Sequence, residues 1–211
     1  MINVLVADNH PIIRTGLKML FESSPDIQVI GSVTTGKELF DFVGRTHVDV
    51  VLSEIDLPEL NGITALRTLK KEYNDVKVIM FSSHPEEIYA VSTIKAGASG
   101  YLTKTVSTQT VKDAILKVYN GGIYISNELA QRLAFDERGN KPSKLYKKLS
   151  MREIEVLKLL SSGRKNKEIA TELTINEKTV STYKARLMKK LNVTNLVDLI
   201  NQARHLELNY L

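Results

Sequence analysis

The chain has 211 residues, of which 43% are hydrophobic and 25% charged, with a formal net charge of +5 and no cysteine. That length suits two small soluble domains; disulfides and thiolate metal sites are excluded, and no run of about 18 apolar residues exists to span a bilayer. Residues 1–124 carry 12 Lys and Arg against 14 Asp and Glu, whereas residues 125–211 carry 17 against 10, so a polyanionic partner is expected for the second part.

The opening run from Met1 to Asp8 has no basic stretch before its apolar residues. It reads as a buried strand and not as a signal peptide, which points to a cytoplasmic protein. Strands are predicted over 3–7, 27–33, 48–52, 76–82 and 99–104, and helices near 11–23, 36–45, 62–73, 86–97 and 107–120. Alternating β and α segments with near-continuous Val/Ile/Leu strands predict a doubly wound α/β domain, (βα)5, with a parallel sheet covered on both faces. Ligands of such sheets sit outside the carboxyl ends of the strands. Asp8, Asn9, Glu54, Ser82 and Lys104 are therefore expected together on one edge.

Gly121 and Gly122 close the fifth helix, a short helical piece follows over 127–134, and the polar segment Asp136 to Lys144, with Gly139 and Pro142, reads as a linker. The expected organisation is a first domain over 1–122, a short helix and linker over 123–146, and an all-α four-helix domain over 147–211.

The helices of that second domain are predicted over 150–160, 166–173, 177–191 and 195–204. Ser150 and Glu153 form a capping box, after which Ile154, Val156, Leu157, Leu159 and Leu160 make an apolar face. Gly163 turns the chain. The third helix buries Val180, Tyr183, Leu187 and Leu191 at spacings of three and four, leaving Lys178, Ser181, Thr182, Lys184, Ala185, Arg186 and Lys189 outside, with Thr179 beside them. A polar, small-residue face flanked by cations suits the DNA major groove. Ser181 and Thr182 can donate or accept at base edges and Ala185 can touch a thymine methyl. Lys178, Lys184, Arg186, Lys189 and Lys190 are expected to hold phosphates, which position a helix without reading sequence.

The run Val48 to Gly62 resembles the phosphoacceptor strand of two-component receiver domains, in which a proline follows the acceptor by four residues and a glycine by eight. Counting back from Pro58 and from Gly62 lands on Glu54 both times, where those receivers carry the phosphorylated aspartate. Asp56 is not the acceptor by this count. The resemblance implies that Asp8 and Asn9 stand at the acid pair that holds Mg²⁺, with only the first acid kept. It likewise places Ser82 at the hydroxyl that bonds a phosphoryl oxygen, Tyr101 at the aromatic switch position and Lys104 at the lysine that pairs with the acceptor. The tail is similar to the LuxR-type helix-turn-helix through Leu149 to Glu153, Asn166 to Ala170 and Lys178 to Lys184. The whole chain thus resembles a NarL/FixJ-type response regulator. That resemblance implies a third helix in the major groove of promoter DNA, homodimers on paired half-sites with either the fourth helix of the tail or the first, fourth or fifth helices of the receiver as the contact, and no enzymatic role in the usual sense; it leaves a sensor histidine kinase open.

Mg²⁺ wants near-octahedral oxygen ligands at about 2.0–2.1 Å, and Asn9 keeps an oxygen while discarding a charge. Glu54 reaches roughly 1.5 Å further than aspartate, toward the place of a phosphoryl group. Weakened metal binding, no other cofactor, and a Glu54 that pairs with Lys104 and Ser82 as a partial imitation of the phosphorylated state are the expectations. Two alternatives stand beside them: a conventional phosphorylation-activated regulator in which Glu54 substitutes for the acceptor, and an interaction protein whose receiver face holds a partner. His10, His47, His84 and His205 are scattered, and no metal site or catalytic dyad is expected from them.

Overall fold

The computed structural model describes residues 1–135 and 149–208. The chain divides into two compact units, Met1–Arg138 and Gly139–Leu211. The linker expected over 136–144 lies outside the described residues.

The first unit alternates strand and helix as the apolar runs require: β1 Ile2–Ala7, α1 Pro11–Phe21, β2 Ile27–Val33, α2 Gly36–Val43, β3 Val50–Ser53, α3 Gly62–Glu72, β4 Lys77–Ser82, α4 Glu86–Lys95, β5 Gly100–Thr103, α5 Thr108–Tyr119 and α6 Asn127–Phe135. All strand pairs are parallel and the order is β2-β1-β3-β4-β5. β3 is buried along its whole length and β4 everywhere but Lys77, which is why they read as unbroken apolar runs and not as alternating ones. On one face Val4, Val6, Leu52, Ile79 and Phe81 pack against Leu17 and Phe21 of α1 and Val111 and Ile115 of α5. Burial of this kind supplies most of the fold's stability, about 1.5–3 kcal/mol for each large apolar side chain.

Capping chemistry fixes the helix starts. Thr35 and Glu38 cap α2 reciprocally, Asn61 accepts from Ile63 at α3, and Ser107 accepts from Thr110 at α5. Gly62 has a physical reason to be glycine: a Cβ there would collide with the backbone carbonyl of Glu54. In this unit the expected and observed segments differ by at most two residues at their ends, where regular hydrogen bonding gives out; the last helix of the chain, expected to end at 204, runs to Leu208.

The second unit is wholly helical: α7 Met151–Ser161, α8 Asn166–Glu172, α9 Glu177–Lys190 and α10 Leu196–Leu208. The Ser150–Glu153 capping box is present. Gly163, with φ of +81°, turns α7 toward α8, and Thr174, with φ of 54°, makes the turn between α8 and α9. Ile154, Leu157, Leu160, Ile169, Val180, Leu187, Leu191 and Leu199 form the core. Tyr183, expected inside, is only half-buried, and Arg186 lies over its ring at 6.0 Å. No helix among the described residues is long and apolar enough to cross a membrane.

Candidate functional site

The carboxyl ends of β1, β3 and β4 and the residue following β5 bring Asp8, Glu54, Ser82 and Lys104 together, as the topology requires. Lys104 Nζ lies 2.7 Å from Asp8 Oδ2 and 2.6 Å from Glu54 Oε2. The other oxygen of Glu54, Oε1, accepts from the Ser82 hydroxyl and from the Ile55 amide, the latter at 2.6 Å. Glu54 is 3% exposed, Asp8 1% and Ser82 fully buried. Two buried carboxylates thus share one ammonium, and neither would be tolerated there without it.

Asn9 does not join them. It is exposed and makes none of the described hydrogen bonds. His10 stands there instead: its backbone amide and its Nδ1 each lie 2.8 Å from Asp8 Oδ1. Lys104 Nζ is also 3.3 Å from that Nδ1. A neutral ring nitrogen cannot donate to Asp8 and accept from Lys104 at once; the shorter contact, to a carboxylate, makes Nδ1–H the donor and Asp8 Oδ1 the acceptor.

Asp8, His10 and Glu54 each offer one ligand atom within 4.8 Å of the others, a grouping that corrects the expectation of scattered histidines without partners. The donor set does not fit a magnesium ion as it stands. The Asp8 Oδ2 atom is buried, and the Lys104 ammonium already lies against it and against Glu54. A divalent ion would have to displace that ammonium.

Below the pocket Tyr101 is buried in β5 and donates from its hydroxyl to the His84 carbonyl at 2.9 Å. Burial holds its phenol well above the ordinary range, and the nearby Tyr89 and Glu54 add to that. His84 stacks on Tyr89 at 4.8 Å and approaches Asp56 Oδ2 at 2.8 Å. His47 lies 3.2 Å from Asp49; the side chain of His205 lies outside the described residues. The close spacing of Asp8 with His10 and of His47 with Asp49 could have signalled two of these pairs. Nothing local links Asp56 to His84, 28 residues on. The backbone of Tyr101 continues the sheet outward: its amide donates to Tyr124 at 2.8 Å, and Ser126 donates to Glu86 at the start of α4, also at 2.8 Å.

On the second unit the exposed face of α9 presents Lys178, Ser181, Thr182, Ala185, Arg186 and Lys189 to solvent, with Thr179 and Lys184 half-buried. Lys190 departs from its expected role as a phosphate contact. Its ammonium lies 2.7 Å from Glu153 Oε2, closing the capping box of α7 against the end of α9. Ser181 donates to the Glu177 carbonyl at 3.0 Å and Thr182 to that of Lys178 at 2.9 Å. Both protons are engaged within the helix in this geometry, which leaves the lone pairs of each hydroxyl facing outward. Asn166, not anticipated as a site residue, donates from Nδ2 to Ser181 Oγ at 3.1 Å.

Comparison with known proteins finds matches for both units. The response regulator receiver domain matches residues 4–116, and the luxR family of bacterial regulatory proteins matches residues 147–203. The response regulator UvrY of Escherichia coli (strain K12) is 35% identical over 207 residues, covering 97% of this chain and 95% of that protein. The response regulator GacA of Pseudomonas aeruginosa is 32% identical over 200 residues, covering 94% of each chain. Among solved structures, RcsB from Salmonella enterica serovar Typhimurium, bound to promoter rprA in the presence of phosphomimetic BeF3-, has the same fold. The TM-score is 0.78 at 24% identity, over 97% of this chain and 99% of that one.

Proposed function

The chain belongs to the response regulators that join a receiver domain to a LuxR-type helix-turn-helix, and on that premise we propose a promoter-binding transcription regulator, not an enzyme, whose receiver is set by Glu54 instead of by phosphorylation. The receiver covers 1–122, a short helix and linker 123–146, and the helix-turn-helix 147–211. RcsB, of the same architecture, binds promoter DNA, and two RcsB dimers bind two parallel DNAs. The same mode, a homodimer on paired half-sites, is assigned to this chain.

One observation carries the reading of the receiver. Glu54 engages Ser82 and Lys104 at the same time, one through each carboxylate oxygen. These are the partners that a phosphoryl group on an aspartate would take in a receiver, so the carboxylate supplies from within what the transferred group supplies elsewhere. With Tyr101 buried and bonded to His84, the aromatic switch is held inward. Magnesium binding is weakened, since Lys104 occupies the space between the acids and Asn9 brings no charge, and no kinase is needed to set the pocket.

On the DNA side, Ser181, Thr182 and Ala185 read base edges, and Lys178, Lys184, Arg186 and Lys189 hold phosphates on either side of them, with Thr179 at the start of the face. Selecting bound fragments from genomic DNA with the untreated protein tests this directly. Enrichment of paired, related sequences without any phosphodonor is the expected result; enrichment only after phosphodonor treatment supports instead a conventional regulator in which Glu54 replaces the acceptor.

A further inference from the structure

We propose that Asn166, at the first position of α8, is a positioning residue for sequence recognition, acting through Ser181 of α9. The inference deepens the DNA-binding reading above and rests on it.

The hydrogen-bonding capacity of a hydroxyl decides the matter. Ser181 has one proton and two lone pairs. A backbone carbonyl only accepts, so the contact of 3.0 Å to Glu177 takes the proton. Whatever touches Ser181 Oγ from the other side must then donate, and this fixes the orientation of the Asn166 amide: its Nδ2 faces Ser181 at 3.1 Å and its Oδ1 faces away. One lone pair of Ser181 is used, and one remains. The hydroxyl is held from two directions, by its own helix and by α8, and can only accept from a base.

That restriction has a chemical consequence. In the major groove the donors are the amino groups of adenine and cytosine, whereas guanine N7 and O6 and thymine O4 are acceptors. A fixed acceptor at Ser181 therefore favours adenine or cytosine at the base it faces. Thr182 also spends its proton on its own helix, but no described contact anchors it from α8, and its hydroxyl can turn. Without Asn166 the Ser181 hydroxyl gains the same freedom: it can rotate, offer its proton to guanine or thymine, and lose its preference.

The test is selection from a pool of randomised duplexes by the full-length protein, with Asn166→Ala, Ser181→Ala and the double variant. Wild type is expected to select adenine or cytosine at one position. Both single variants relax that same position by roughly five-fold, the loss of about one hydrogen bond, and the double variant relaxes it no further. Ser181→Thr, which keeps the hydroxyl, retains the preference. Melting temperature and the salt slope of binding stay at wild-type values, since neither residue holds a phosphate. The proposal is overturned if Asn166→Ala weakens all sequences alike with a shallower salt slope, if the two variants relax different positions, or if the selected profile does not change. Should the wild type itself enrich no sequence, the DNA-binding reading fails, which is a distinguishable outcome.

Discussion

The Lys104 ammonium lies 2.6 Å from Glu54 Oε2. Because it also lies 2.7 Å from Asp8 Oδ2, removing it strands two buried carboxylates. Lys104→Met is expected to destabilise the receiver unit by about 3–5 kcal/mol, the usual cost of breaking a buried pair from one side. Adding Glu54→Gln to that variant recovers a large part of the loss. Urea melts of the single and double variants check this, and equal stability of Lys104→Met and wild type would contradict the pairing.

Tyr101→Phe removes one buried hydroxyl and its bond to the His84 carbonyl, at a cost of about 1 kcal/mol near neutral pH. It also changes the alkaline limb. The folded phenol is held above its ordinary value of 10.0, so the unfolded chain ionises first. Stability is full below that pH and is lost as pH rises past it. Chemical denaturation across that range is expected to show a shallower decline for Tyr101→Phe than for wild type.

Much of this was legible in the sequence, and the reasons are local. Pro58 and Gly62 fix the register of Glu54 because a side chain at Gly62 would meet the Glu54 carbonyl. Parallel strands buried on both faces announce themselves as apolar runs, and the four residues at their carboxyl ends follow from topology. What the sequence concealed depends on orientation or on distant pairing. Asn9 adjoins Asp8 but faces solvent. Lys190 looks like another cation of the α9 face until Glu153, far away in sequence, claims it. His84 meets Asp56 across two loops, and Ser181 cannot be known as an acceptor before its i−4 carbonyl and Asn166 are seen around it.

The Glu153–Lys190 pair gives an acid-range prediction. Burial raises the Glu153 carboxyl, but Lys190 and the Ser150 amide and hydroxyl outweigh it, leaving the group below its ordinary value of 4.5. A depressed carboxyl stabilises the fold above its unfolded value, and that stabilisation fades as pH falls through the lower, folded value. Lys190→Met is expected to cost the helix-turn-helix unit about 1 kcal/mol at pH 7, the order for a pair whose lysine is partly exposed to solvent. The difference from wild type should shrink once Glu153 is protonated in both, as followed by helical circular dichroism against urea.

Salt separates the two kinds of contact on α9. Lys184→Ala is expected to weaken binding to all duplexes and to lower the salt slope by about one unit. Thr182→Ala leaves the slope alone and relaxes sequence preference by about 1 kcal/mol at one position. Identical behaviour of the two variants across a salt series would contradict this division of labour.

Intact-mass measurement after incubation with acetyl phosphate and Mg²⁺, paired with operator affinity before and after, bears most directly on Glu54 as the standing signal. The expected result is an unchanged mass and the same affinity in both samples. A phosphate found on Glu54 or Asp56, with tight operator binding only in the treated sample, would contradict it.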